Sequence, residues 1–354
     1  MEDINQTNVS YFILLGFFTN ADLEIFFFVL FLCAYLMIIM ENIIILIVIW
    51  VNNNLHKPMY LFLCNLSFLE IWYITTIVPK MLEDFLSQEK HISFQGCLTQ
   101  LYFFVSFMCS EFVLLAAMSY DRYLAICYPL HYPVLMNNIL CAWLSAGCWM
   151  CGFITSMIKL SFIGQLKYCS TYKINHYFCD ISPLLNVSCT DSSIAELVDF
   201  ILALMVIIVP LCMVIISYIY IILTVLKIPS AQGRKKAFST CSSHLTVVVL
   251  FYSTTLFTYA RPKAMYAYNS NKLVSVLYTV IVPLLNPLIY CLRNTEINCA
   301  LRKTLNDYRG QISSEETIII NKNIKDASNM LQMWAKIHAI FFKNNLFWYH
   351  WDIG

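Results

Sequence analysis

Apolar residues run along this chain in seven long stretches, near 25–50, 58–80, 98–126, 140–163, 196–226, 238–260 and 273–292. A bilayer core of about 30 Å takes roughly 20 helical residues, so each stretch predicts a helix that crosses a membrane. The polar positions between them set the orientation. The 24 residues before the first stretch hold no Lys or Arg, whereas Lys57, Arg122, Lys227, Arg234, Lys235, Lys236, Arg293, Arg302 and Lys303 fall on the opposite side. An excess of Lys and Arg marks the cytoplasmic side, which puts the amino terminus outside. Lys90, Lys167, Lys173, Arg261 and Lys263 lie in outer loops and run against that bias.

After the last stretch, residues 293–308 place Ile297, Leu301 and Leu305 at helical spacing around Arg302 and Lys303. That pattern predicts a short amphipathic helix lying on the inner leaflet. Residues 309–354 begin polar, with Ser313, Ser314, Glu315 and Glu316, and end aromatic, interrupted by Lys336, His338 and Lys343. The expected organisation is an extracellular segment at 1–24, a helical bundle at 25–292, the interfacial helix at 293–308 and an atypical tail at 309–354.

Composition sharpens this into an all-α membrane protein. Hydrophobic residues make up 60% of the 354 and charged residues 12%, and the mean hydropathy is +0.68, whereas soluble domains carry roughly a quarter charged residues. With net charge +1, lipid is the expected surroundings and no nucleic-acid partner is expected. The first apolar run starts late and is of span length, so it is expected to serve as the signal and stay in place. Asn5-Gln6-Thr7 and Asn8-Val9-Ser10 are glycosylation sequons in the lysine-free leader. Asn65-Leu66-Ser67, inside the second stretch, and Asn186-Val187-Ser188 read as chance matches.

Position sorts most of the fifteen cysteines. Cys33, Cys64, Cys109, Cys141, Cys148, Cys151, Cys212 and Cys291 lie in apolar stretches, where cysteine is a small buried hydrophobe. Cys97, Cys169, Cys179 and Cys189 fall outside, where bridges form, and four cysteines allow three pairings. A zinc site with His176 is the weaker alternative. Glu41, Glu70 and Glu111 lie within the first three stretches, and carboxylates at such depth are usually functional. The plain alternative is protonated glutamates that hydrogen-bond between helices. At the inner end of the third stretch, Asp121 beside Arg122 reads as a charge latch.

Four strings in order carry a closer resemblance: Leu55 to Ser67 (LHKPMYLFLCNLS), Met118 to Cys127 (MSYDRYLAIC) running into YPLHY, Lys236 to Leu245 (KAFSTCSSHL) and Pro283 to Asn294 (PLLNPLIYCLRN). Together they resemble the vertebrate odorant receptors of the tetrapod-type class, which are rhodopsin-like G-protein-coupled receptors. The resemblance implies a seven-helix bundle in the plasma membrane of sensory cilia. Its ligand would be a small volatile molecule, and its partner a stimulatory G protein of the olfactory type that raises cyclic AMP. It also implies the pairings Cys97 with Cys179 and Cys169 with Cys189.

By the same resemblance, Arg122 would bind Asp121 at rest and then turn toward the G protein. Tyr123, Tyr218, Asn286, Pro287 and Tyr290 complete the switch, with Lys235, Lys236 and His244 at the inner end of span six. Pro210 and Pro287 can kink their helices. Glu70 and Glu111, walled by Asn286, would form a candidate sodium site, the one cofactor implied. Glu41 departs from the family, which more often has Gly before the span-one Asn, here Asn42.

The implied ligand pocket is Phe104, Val105, Met108 and Cys109 on span three, Leu202, Ala203 and Val206 on span five, Thr255 and Tyr259 on span six, and Val276 and Thr279 on span seven. That is an apolar cavity with a few hydroxyls and no carboxylate for an amine. Span seven holds no Lys between Val274 and Tyr290, which excludes a retinal Schiff base. No matching halves suggest a transporter, and no nucleophile with its base or H-E-x-x-H pair suggests an enzyme. A non-nasal sensor of an endogenous metabolite is the runner-up, since the same pocket physics serves both.

Overall fold

The computed structural model describes residues 10–17, 21–168, 173–259, 270–293 and 295–311. The calls on Asn5, Asn8 and Cys169 lie outside the described residues, as do the side chains of Tyr259 and Lys236 and the tail beyond Gln311. Two compact units divide the chain, Met1–Asn298 and Cys299–Gly354.

The long helices are α1 (Ala21–Val51), α2 (Pro58–Leu86), α3 (Phe94–Cys127), α5 (Asn138–Ile163), α7 (Ser193–Leu226) and α8 (Ala231–Tyr259). Span seven is α9 (Ser270–Val276), a π turn (Leu277–Ile281) and α10 (Val282–Arg293) in unbroken succession. Short helices α4 (Tyr132–Leu135) and α6 (Ile181–Asn186) lie in the connections, and α11 (Thr295–Gln311) follows the bundle. Its exposed Arg302 and Lys303 match the polar face expected of it.

Six of these segments are long and apolar enough to cross a membrane, while the apolar part of α8 is shorter, Cys241–Leu256. Its first turns carry Arg234, Lys235 and Lys236, so the helix outruns its apolar window. α2 likewise continues to Leu86, six residues beyond the expected 80. There Lys80 pairs with Glu83 and Asp84, both at 3.0 Å; i,i+3 and i,i+4 pairs support a helix that hydropathy alone cannot see. The starts of α3 and α5 are fixed by side-chain caps, Ser93 accepting from the Gly96 N–H and Asn137 from the Leu140 N–H.

α3 is the axis of the bundle: 83% of its apolar window is buried, against 11% for α1 and 28% for α7. It packs against α2, α5, α7 and α8. The approach of α5 is closest at Gly152, where an added Cβ would come 2.1 Å from Ser110 Oγ and 2.2 Å from the Ser106 carbonyl. Asn65 ties α2 to α5 by accepting from Trp149 Nε1 at 3.1 Å and donating to Ser145 Oγ at 3.3 Å. That use of its amide supports reading its sequon as a chance match.

A small sheet covers the outer end. β1 (Tyr11–Leu14) lies between β2 (His91–Ser93), antiparallel with Phe12 opposite Ile92, and β3 (Lys173–Ile174), parallel with Leu14 opposite Ile174. Phe12 and Leu14 are fully buried, so the leader is built into the receptor, and α1 begins at Ala21 rather than at 25. The Cys97–Cys179 disulfide pins the loop before α6 to the start of α3 across 82 residues, a closure worth on the order of 4 kcal/mol. Cys189 is also disulfide-bonded.

Because the atoms Gly152 faces include backbone, Gly152→Ala is expected to cut surface display by more than half, through overpacking of about 1–3 kcal/mol. Gly147→Ala, on the same helix with nothing within 4 Å of the new Cβ, should display normally. Flow cytometry of tagged receptor checks both.

Candidate functional site

At the inner end, the carboxylate of Asp121 accepts a 2.7 Å hydrogen bond from the Tyr132 hydroxyl of α4, and the guanidinium of Arg122 lies against the sulfur of Met59. Among the described residues no ion pair joins Asp121 to Arg122, which corrects the expected latch. Neighbouring positions on a helix point about 100° apart and do not face each other, so each group takes a partner from a different side of α3.

Tyr218 is buried and its hydroxyl lies 2.7 Å from His244 Nδ1, while His244 Nε2 lies 3.2 Å from the Leu115 carbonyl. A carbonyl only accepts, so Nε2 carries the proton and Tyr218 donates to Nδ1. Spans three, five and six are thereby joined through one imidazole. Tyr290 is buried with no hydrogen-bond partner for its hydroxyl among the described residues, and Pro287 lies within α10. Tyr123 sits apart from these groups, against Tyr120, Tyr128 and Tyr220. Glu296, at the start of α11, accepts from Lys57 at 2.7 Å and Tyr60 at 3.1 Å. Lys57 and Tyr60 draw its carboxyl below the usual range.

In the middle of the bundle, Asn286 Nδ2 donates to Glu70 Oε1 at 2.7 Å, with Glu111 and Asn42 beside Glu70. All four are buried. Glu111 Oε1, Asn42 Oδ1 and Asn286 Oδ1 have no hydrogen-bond partner among the described residues. Glu41, directly before Asn42 on α1, has one buried oxygen without a hydrogen-bond partner among the described residues.

The upper bundle differs from the expected apolar cavity. Lys159 of α5, only 5% exposed, pairs with Asp199 of α7 at 2.7 Å, within electrostatic reach of Cys109. A lone Lys in an apolar stretch with an Asp early in the next was the overlooked signal, because intramembrane charges are rarely accidental. The four α3 residues do not form one wall either. Phe104 turns to Tyr73 of α2 and Phe178 of the loop, with ring centroids 5.7 and 4.9 Å away, while Cys109, five residues on, leaves α3 about 140° away from it. Val105, Met108 and Val206 are buried, and Leu202, Ala203 and Val276 are half-buried.

Two of the expected hydroxyls, Thr255 and Thr279, already donate elsewhere. Thr255 Oγ1 donates to the Phe251 carbonyl at 2.7 Å. Thr279 Oγ1 donates to the Ser275 carbonyl at 2.8 Å, so Tyr177 is the donor in the 2.9 Å contact between their hydroxyls. Tyr177 belongs to a plug that sequence reading missed. His176 bonds Ser275 at 3.2 Å, Phe178 meets Phe104, and the Cys179 N–H donates to Gln100 Oε1 at 2.9 Å. Phe17 stacks on Tyr177 from outside at 4.5 Å. Burial first and Lys272 second pull the His176 pKa down to about 3, against a backbone hydrogen bond from Phe178. It is therefore a neutral packing group. The legible signal was three rings directly before Cys179.

Residues 31–308 match the family described as olfactory receptor. Human olfactory receptor 6Y1 is 66% identical over 305 residues, 86% of this chain and 94% of that one. Human olfactory receptor 6A2 is 57% identical over 307 residues (86% and 94%), and rat olfactory receptor 226 is 57% identical over 301 (84% and 92%). At such identity across nearly the whole length of these relatives, the chain belongs to the olfactory receptor family, as a signalling receptor of the rhodopsin-like, G-protein-coupled kind that crosses the membrane repeatedly with its amino terminus outside.

Proposed function

We propose that this receptor binds small, largely apolar volatile molecules beneath the 176–178 plug and activates a stimulatory G protein of the olfactory type, raising cyclic AMP. The observation that carries the reading is the Lys159–Asp199 pair in the upper bundle, its lysine buried. One of the three ammonium protons goes to Asp199, which leaves donors for a ligand carbonyl. Burying about 200 Å² of ligand contributes roughly 5 kcal/mol, and association costs consume part of it, so affinity is about micromolar or weaker.

At the inner end, Tyr218–His244 and Asp121–Tyr132 hold the resting bundle, and their release frees Arg122 for the G protein, Tyr290 gaining a partner in the open state. Two buried carboxylates with amide oxygens left unpartnered are hard-oxygen ligands that suit a sodium ion. Glu70, Glu111, Asn42 and Asn286 would hold it and so stabilise the resting state. α11 rests its apolar face on inner-leaflet lipid, and glycosylation at Asn5 and Asn8 accompanies delivery to the plasma membrane.

The test is cyclic AMP in cells displaying the receptor, challenged with a panel of odorous alcohols, aldehydes, ketones, esters and acids. A dose-dependent rise is expected in wild type and none in Arg122→Ala at equal surface display. A full response from Arg122→Ala, or calcium release without cyclic AMP, would overturn the switch or the G-protein assignment respectively.

Lys159→Met should shift carbonyl responses by about tenfold or more. Because it strands Asp199, the double variant Lys159→Met/Asp199→Asn should recover surface display without recovering potency. Full potency in the double variant would remove Lys159 from the pocket.

A further inference from the structure

Tyr73 of α2 is fully buried, and its hydroxyl has no hydrogen-bond partner among the described residues. Burying a hydroxyl that bonds nothing costs stability, and other buried tyrosines here avoid it: Tyr177 reaches Thr279, Tyr168 the Ile163 carbonyl, Tyr218 His244, and Tyr252 the Phe112 carbonyl. Tyr290 shares the deficit but belongs to the inner switch. Tyr73 lies at the outer half of the bundle, its ring 5.7 Å from Phe104, which in turn meets Phe178 at 4.9 Å.

An independent feature marks the same corner. α2 packs there against the π turn Leu277–Ile281, which carries Tyr278 and Thr279. A π turn interrupts the helical ladder and is frequently found at functional sites. The corner is separate from the Lys159 pair, because Phe104 and Cys109 leave α3 about 140° apart at 3.6 residues per turn.

We propose that Tyr73 is the polar anchor of a second ligand subsite between α2, α3 and the π turn, donating its hydroxyl proton to the acceptor oxygen of a small aromatic ketone or ether. The rings of Phe104, Tyr177 and Phe178 supply flat, apolar walls for such a ligand, and aromatic pairs add offset or edge contacts to simple burial. The subsite rests on the reading that ligand binds beneath the plug. It adds a ligand class to the carbonyl compounds assigned to the Lys159 corner.

The experiment compares wild type with Tyr73→Phe, which keeps the ring and removes only the hydroxyl. Surface display is measured first. A merely structural hydroxyl would have a partner to lose, so display should be equal or higher in Tyr73→Phe, and a clear fall overturns the proposal even if no ligand is found. Cyclic AMP dose–response then uses acetophenone and anisole, with ethylbenzene as the acceptor-free analogue and straight-chain aldehydes as probes of the Lys159 corner.

The expected result is a shift of about tenfold or more for acetophenone and anisole in Tyr73→Phe, with aldehyde potency unchanged. Equal potency in both proteins, or a wild type that answers aldehydes but neither aromatic probe, overturns the subsite and leaves the proposed function intact. A wild type silent to the whole panel counts against the proposed function instead, and surface display then decides this proposal.

Discussion

Polar groups at the outer end, the middle and the inner end of this receptor meet on one long, buried helix, and the burial of α3 is the constraint on which they depend. Its outer end is pinned by Cys97 to Cys179, its middle supplies Glu111 and the tight contact with Gly152, and its inner end turns Asp121 and Arg122 to different neighbours. A central helix in lipid has no water to satisfy its polar groups, so they turn to its own backbone, as Ser106 and Ser119 do, to groups of other segments, or find no partner among the described residues. Buried groups without a partner among the described residues, such as those of Glu111 on α3, Tyr73 on α2 and Tyr290 on α10, are where an ion, a ligand or another conformation has something to gain.

The disulfide carries consequences beyond loop closure. Because Cys179 is bonded to α3 and its N–H to Gln100, the three residues before it have little choice of place. His176, Tyr177 and Phe178 fall into the mouth of the bundle and take up the hydroxyls of Ser275 and Thr279. The leader reinforces the plug, with Phe17 stacked on Tyr177 and β1 between β2 and β3. A ligand that passes between these residues displaces the same loop that spans three and seven hold down. Signalling by population shift needs a bundle with two arrangements of similar energy. Exchangeable hydrogen bonds such as Tyr177–Thr279 and Tyr218–His244 provide that more readily than an apolar core would.

What the sequence determined by itself is local and additive. Seven apolar stretches, their flanking charges and the four family strings are each read over a few tens of residues, and lipid enforces helices wherever such stretches occur. The bundle and its orientation were therefore legible, as was the Cys97–Cys179 pairing through the resemblance. What only the tertiary structure decided is direction: which way each side chain leaves α3, and what waits there. Asp121 prefers Tyr132 to its neighbour Arg122, Phe104 and Cys109 serve different corners, and Lys159 finds Asp199 forty residues away. The π turn in span seven and the strand in the leader leave no mark in hydropathy, since both arise from how backbone fits against partners distant in sequence. Directional polar contacts depend on the positions of two chain segments at once, and a one-dimensional pattern records only one of them.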